Sequence, residues 1–291
     1  MGFLRRSLLF LPGDNPRFLT KALDGPADAV ILDIEDAVAP HQKPAARLAV
    51  AEALRTADFG GKERLVRINA LSTPYGREDV EAVVPARPHT LVVPKAEGIR
   101  GVQELDDLVT GVEKANGLPV GEVEFLLLIE TPLGVINAES IALASHRVTG
   151  LSFGSGDYSL STRCILTDEE WELLYPRTRT LLAARAAGVK AIDLVWPKVK
   201  DLEGLEKSAR RARVLGYDGK ALIHPDHIPV ANRVFSPSPE DIGRARRIIA
   251  AVAQAEAEGK GAATLDGQLI ETPHAVMAQG VLDIASRAGL L

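Results

Sequence analysis

Short apolar runs alternate along the chain with longer stretches of helical periodicity. The runs are Ser7–Leu11, Ala29–Ile34, Leu65–Ile68, Thr90–Val93, Glu124–Ile129, Gly150–Phe153, Ala191–Val195 and Ala221–Ile223. They are rich in Val, Ile and Leu and apolar throughout, rather than alternating with polar residues. Strands covered on both faces read this way. Eight of them, each followed by a helical stretch, predict an α/β chain folded as a (β/α)₈ TIM barrel. The helices carry their own punctuation. Asn15-Pro16 sets a capping side chain before a first-turn proline. Lys43–Leu54 and Ile99–Val112 each keep an apolar stripe. Asp168–Ala187 ends at Gly188, and Leu202–Leu215 ends at Gly216, where a left-handed turn stops a helix.

The eighth run is followed by an extension. Ser238-Pro239 opens a helix to about Glu258, a Gly-rich stretch at 259–267 reads as a linker with a turn at Asp266-Gly267, and a last helix runs from His274 to Arg287. The predicted organisation is a TIM barrel over residues 1–235 and a C-terminal helical extension over 236–291, the latter packing on a neighbouring subunit.

The length of 291 residues suits one such barrel with an extension. Asp+Glu exceeds Lys+Arg, 39 against 34, so the surface is mildly acidic and nucleic acid is not the expected partner. The single cysteine, Cys164, excludes an intrachain disulfide and fits a reducing compartment. The N-terminal apolar run is cut short by Pro12-Gly13, too early for a signal peptide, and Arg6 breaks a myristoylation pattern. No stretch is long enough to span a membrane, so a cytoplasmic protein is expected.

Barrel enzymes place their chemistry at the carboxyl ends of the strands. Nearly every run here ends in a polar or charged group: Asp33-Ile34-Glu35-Asp36, Arg67-Ile68-Asn69, Pro94-Lys95, Glu130-Thr131, Gly154-Ser155-Gly156-Asp157 and His224-Pro225. Converging on one mouth, such groups call for a metal, a charged ligand or both. Carboxylates without Cys or clustered His favour a hard cation such as Mg²⁺ or Mn²⁺. Glu130 and Asp157, on adjacent strands, are positioned to share one ion; a salt-bridge network with Arg67 and Lys95 is the competing reading. Arg67 suits a carboxylate gripped in two-pronged fashion, or pairs with Asp33 or Glu35. Glu35 and Asp36 either order metal-bound water or pair with Lys95 and Arg67. Gly154 and Gly156 permit close backbone approach to a ligand, or merely form a turn. His224 reads as structural.

The ordered motifs Ser7-x-x-Phe10-x-Pro12-Gly13, Leu32-Asp33-Ile34-Glu35-Asp36-Ala37-Val38, Val66-Arg67-Ile68-Asn69, Val93-Pro94-Lys95, Ile129-Glu130-Thr131, Phe153-Gly154-x-x-Asp157, Ala183–Gly188 and Ile223-His224-Pro225 together resemble the citrate lyase β-subunit-like family, within the HpcH/HpaI aldolase group. The resemblance implies a lyase that cleaves a carboxylated 3-hydroxyacyl-CoA, such as citryl-, malyl- or citramalyl-CoA, into an acyl-CoA and a 2-oxo acid. The alternatives for this chain are an aldolase or a synthase/thioesterase on related oxo acids, or a non-catalytic, complex-dependent citrate lyase β subunit. It implies Mg²⁺ on Glu130 and Asp157, Arg67 on the oxo-acid carboxylate, Glu35 and Asp36 ordering water, and Phe10 and Lys21 near CoA. It further implies a homo-oligomer, trimer or hexamer, in which a C-terminal Asp reaches the neighbour's active site and handles a proton. Glu271 stands in that position here, within Gly267–Pro273, and is one methylene longer. A second departure, Trp196-Pro197 after the seventh run, is expected to shape the pocket.

Overall fold

The computed structural model describes residues 2–291, and eight parallel strands close into a barrel in chain order. The strands are β1 (Ser7–Pro12), β2 (Ala29–Asp33), β3 (Glu63–Arg67), β4 (Thr90–Val93), β5 (Glu124–Ile129), β6 (Val148–Phe153), β7 (Lys190–Asp193) and β8 (Gly219–Leu222), with β8 pairing back onto β1. The strands alternate with helices: α1 (Pro16–Leu23), α2 (Lys43–Thr56), α3 (Gly76–Val83), α4 (Ile99–Ala115), the short α5 (Pro132–Ile136) and α6 (Ala138–Ala142), α7 (Ser155–Thr162), α8 (Leu174–Ala186) and α9 (Leu202–Leu215). The (β/α)₈ architecture read from the apolar runs is the one observed. The interior is filled by side chains two residues apart on each strand, among them Leu8, Ala29, Ile31, Leu65, Leu126, Leu128 and Ala221. The same alternation aims Phe10, two residues after Leu8, and Arg67, two after Leu65, at the carboxyl mouth.

Four strands, β3, β6, β7 and β8, begin earlier than their apolar content predicts, and at β3 and β8 the reason is electrostatic. β3 opens on Glu63, which is fully buried against Arg5, with Nη2–Oε1 at 2.6 Å and Nε–Oε2 at 2.8 Å. Arg5 also reaches Glu124 and Thr149, tying the amino ends of β3, β5 and β6 together. β8 opens on Gly219-Lys220, and the fully buried Lys220 donates to Asp193 at 2.5 Å and to Ser208 at 3.0 Å. A charge at the end of a strand stays inside only with such partners.

The chain divides into two compact units. One is Arg5–Asn232; the other is Arg233–Leu291 together with the N-terminal residues up to Leu4. Helix α10 (Ile228–Phe235) runs through the division, and α11 (Pro239–Ala257) follows, its Ser238 cap forming a capping box with Asp241. The stretch expected to be a Gly-rich linker is instead a hairpin, β9 (Ala262–Leu265) and β10 (Gln268–Glu271), followed by α12 (Thr272–Arg287). Asp266 and Gly267 turn the hairpin with φ of 51° and 78°, the pair of left-handed residues that a two-residue hairpin turn requires. Among the described residues no helix is long and apolar enough to cross a membrane.

Candidate active site

The carboxyl ends of the strands surround a cavity of about 660 Å³ lined by Phe10, Asp36, Arg67, Glu130, Gly154 and Asp157 among others. Its volume lies in the range of small-molecule sites. A larger recess of about 820 Å³ between α3 and α4 mixes Arg77 with Glu81, Glu104 and Asp107 and touches none of the strand-end groups. The chemistry lies in the mouth of the barrel.

Each functional side chain there is held by local structure. Asp33, the last residue of β2, accepts the backbone N–H groups of Glu35 and Ala37 and so folds the following loop. Lys43 clamps the same loop by donating to the carbonyls of Ile34 and Glu35 at 3.1 and 2.7 Å. Arg67 forms a two-pronged bridge to Asp33, at 2.8 and 2.6 Å, with its guanidinium 5.0 Å from the Phe10 ring centre. Its remaining nitrogen, Nη1, lies 3.0 Å from Glu35 and 3.3 Å from Asp36. Burial opposes its charge, but Asp33, Glu35 and Asp36 hold its pKa above the ordinary arginine value. In this structure Arg67, Asp33, Glu35 and Asp36 pair with one another.

Glu130 follows β5 and is almost fully buried. Its Oε1 accepts the Lys95 backbone N–H at 2.8 Å. Gly154 explains how it fits: a Cβ added at 154 would lie 2.6 Å from Glu130 Oε2 and 2.7 Å from its Cβ. Only glycine leaves room for that carboxylate. Gly156 has nothing within 4 Å of an added Cβ, so close packing within the chain does not require it. Asp157 is not a strand-end residue, as the sequence implied, but sits in the first turn of α7, where a helix favours an acid.

Lys95 connects these carboxylates. Its Nζ lies 2.8 Å from Glu35 and 3.1 Å from Asp157. Its backbone is left-handed, with φ of 48°, which is strained for a side chain of this size and aims the N–H at Glu130. Sequence reasoning gave Lys95 only a pairing role; the Val-Pro-Lys motif was its one signal, and no local propensity predicts the turn.

Around the mouth five carboxylates, Asp33, Glu35, Asp36, Glu130 and Asp157, meet two cations, Arg67 and Lys95. Burial pushes the Glu130 carboxyl up to about 7, with Glu35 and Asp157 adding to the rise against the Lys95 N–H and Arg67. Glu35 is also raised, by burial first, and its Oε2 is buried without a hydrogen bond despite its distance to Arg67. A surplus of buried acid and an unsatisfied carboxylate oxygen fit a hard divalent cation. Among the described residues no three His, Cys, Asp or Glu side chains form a complete cage. An ion of the Mg²⁺ kind needs only one or two carboxylates and takes its other oxygens from water and substrate.

The other candidates lie elsewhere. Lys21 is exposed in the last turn of α1 and is not among the residues lining the cavity. Glu271 belongs to the other unit, where it is exposed and caps α12, its backbone N–H donating to His274 at 3.1 Å. His224 caps a short 3₁₀ turn by accepting from the Asp226 N–H, the structural role expected of it. Trp196 corrects an expectation: it is buried and packed near Gly204 of α9, and Val195, not Trp196, lines the cavity.

Residues 6–225 match the HpcH/HpaI aldolase/citrate lyase family. The chain belongs to that family. Family membership makes it a lyase/aldolase-type enzyme. It is 39% identical to the citrate lyase subunit beta of Leuconostoc mesenteroides subsp. cremoris, over 97% of this chain and 94% of that one. It is 38% identical to a (3S)-malyl-CoA thioesterase of Cereibacter sphaeroides, over 95% and 93% of the two chains. Among solved structures it resembles CitE from Mycobacterium tuberculosis in complex with magnesium, acetoacetate and coenzyme A, with a TM-score of 0.77, 33% identity and 97% of each chain covered.

Proposed function

We propose that this member of the family is a Mg²⁺-dependent carbon–carbon lyase that splits a carboxylated 3-hydroxyacyl-CoA of the citryl-, malyl- or citramalyl-CoA type into an acyl-CoA and a 2-oxo acid. The observation that carries the reading is the excess of carboxylates around Glu130 and Asp157 at the mouth of the barrel. The magnesium complexes of CitE, with 2-oxo acids in some and coenzyme A in one, support it.

Glu130 and Asp157 would hold the ion. When bound there, Mg²⁺ supplies Lewis acidity to the carbonyl and hydroxyl oxygens of the oxo-acid half. Arg67 takes the oxo-acid carboxylate: Asp33 keeps its fork fixed, and the substrate exchanges with the exposed Asp36 at Nη1. Phe10 braces the guanidinium from behind and, with Gly154 and Gly156, gives the thioester half a smooth wall. Glu35 and Asp36 order water beside the substrate. Lys21 meets a CoA phosphate as a point charge. Cleavage takes the proton off the 3-hydroxyl as the oxo-acid C=O forms, moves the carbon–carbon bonding electrons onto the acyl-CoA α-carbon and returns a proton to that carbon, and Glu271 of a neighbouring copy handles the proton. The enzyme is thus a homo-oligomer, trimeric or hexameric, whose C-terminal unit (residues 236–291) completes the site of the next subunit. It works in the cytoplasm, where Cys164 stays a thiol.

A second reading rests on the malyl-CoA thioesterase relatives: the same pocket hydrolyses the thioester. Incubating purified protein and Mg²⁺ with citryl-, malyl- and citramalyl-CoA separates the two. A lyase releases a 2-oxo acid with an acyl-CoA, whereas a thioesterase releases free CoA. Turnover of none of them by the protein alone would contradict both readings and favour a subunit that works only within a larger complex.

A further inference from the structure

At the amino end of the barrel, away from the mouth, lies a recess of about 420 Å³. It is framed by the end of α2, the start of β3 and the turns before β4 and β5. Arg55, Arg64 and Arg87 line it with His89, and Glu122 is its one acid. In a chain that carries a net charge of −5, this is a local concentration of positive charge.

One carboxylate in the lining serves three arginines. Glu122 is taken by Arg87 at 2.6 Å. Arg55 has only a distant contact with Glu52, at 3.9 Å. Arg64 has no carboxylate within salt-bridge distance among the described residues, and its Nε is buried without a hydrogen bond. Its guanidinium lies 5.9 Å from the Phe59 ring centre and 3.1 Å from His89 Nε2. The His89 contact sets donor against donor. His89 Nδ1 accepts the Arg64 backbone N–H at 3.0 Å, so a neutral ring carries its proton on Nε2, and Nε2 faces the guanidinium. Burial, and then repulsion from Arg87, lowers the Arg64 pKa, and burial with Arg64 lowers that of His89. Arg87 is fixed in a left-handed backbone, φ 58°, that turns the chain into the recess. Arg64 is half-buried, and a buried Nε that lacks an acceptor is costly to keep unless something supplies one.

We propose that this recess binds the phosphate group of a small phosphomonoester. A phosphate presents several acceptor oxygens to guanidinium forks from different directions, which suits three converging arginines. The space exceeds that of a bare anion, and Leu54, Pro85 and Pro88 provide apolar wall for an organic remainder. The site is separate from the barrel mouth, since Arg64 is the second residue of β3 and Arg67, which faces the cavity, is its last.

The test is calorimetric titration of the full-length protein, without metal, using inorganic phosphate and glycerol phosphate. The proteins compared are wild type, Arg87→Gln, Arg55→Gln and Arg67→Gln. Arg55 and Arg87 are exposed enough for their variants to fold, and circular dichroism checks this. Saturable binding of both probes, weakened about tenfold or more by Arg87→Gln and Arg55→Gln but unchanged by Arg67→Gln, is the expected result. Absence of saturable binding at millimolar probe overturns the proposal. So does binding lost only in Arg67→Gln, which would put the anion in the mouth. Binding of inorganic phosphate but not of glycerol phosphate would overturn the assignment to a monoester.

Discussion

Two glycines separated by one residue, Gly154 and Gly156, differ in the space around them. Gly154 has no room for a methyl group beside Glu130, whereas Gly156 has open space. Gly154→Ala should push the Glu130 carboxylate aside. A displacement of about 1 Å at a reacting centre costs on the order of 100-fold in rate, so activity should fall by about that factor while the fold persists. Gly156→Ala should stay close to wild type in steady-state assays; an equal loss in both variants would mean that crowding of Glu130 is not the reason. Lys95 gives a second prediction. Lys95→Met removes a cation from between Glu35 and Asp157 and leaves the mouth more negative. Mg²⁺ should then bind at least as tightly by calorimetry, yet turnover should drop, because the two carboxylates lose the cation that bridges them and fixes their positions. Weaker Mg²⁺ binding would contradict this view of Lys95.

At the scale of elements, buried ion pairs join helices to strands where the apolar pattern is silent. Arg147, fully buried before β6, bridges Glu113 and Asp106 of α4, with closest contacts of 2.6 Å to each. Arg147→Met would strand the buried Glu113 carboxylate and should cost about 3–5 kcal/mol in urea unfolding. Burial raises both acids, but hydrogen bonds from Arg147, with Ser145 for Asp106 and the backbone for Glu113, hold them below their ordinary values of 3.8 and 4.5. A carboxylate whose pKa is depressed by folding stabilises above its ordinary pKa and loses that contribution as pH falls through the folded one. The gap between wild type and Arg147→Met should therefore close below about pH 4; a gap that widens in acid would contradict the pairing. The same physics marks the limit of what periodicity reveals. The eight strands were legible because both faces of each are covered by apolar side chains. The early starts of β3 and β8 were not, because Glu63 and Lys220 look like solvent residues until Arg5 and Asp193 are placed beside them. Helix α7 was hidden in a Gly-Ser-Gly-Asp stretch that reads as a turn, and the hairpin of β9 and β10 in one that reads as a linker. Of the residues that line the cavity, Arg67 and Glu130 stood out at strand ends and Asp157 just after one, while the left-handed Lys95 and the crowding at Gly154 appear only once the barrel closes.

For the whole molecule, the function proposed above would make the active site a property of more than one chain. The barrel supplies Glu130, Asp157 and Arg67, and Glu271 lies in the other compact unit. If Glu271 serves a neighbour, then Glu130→Gln and Glu271→Gln homo-oligomers should each be inactive, and subunits exchanged between them should recover activity in mixed assemblies. Failure to recover activity after verified exchange would place Glu271 outside the reaction. The claim beneath all of this is that the acid-rich mouth holds a divalent ion that receives a 2-oxo acid. The most direct measurement is calorimetric titration of oxaloacetate, pyruvate and glyoxylate into the protein with and without Mg²⁺, repeated on Glu130→Ala. At least one of these acids should bind only with Mg²⁺, and Glu130→Ala should abolish the binding. Oxo-acid binding that is indifferent to both the ion and the substitution would contradict that claim.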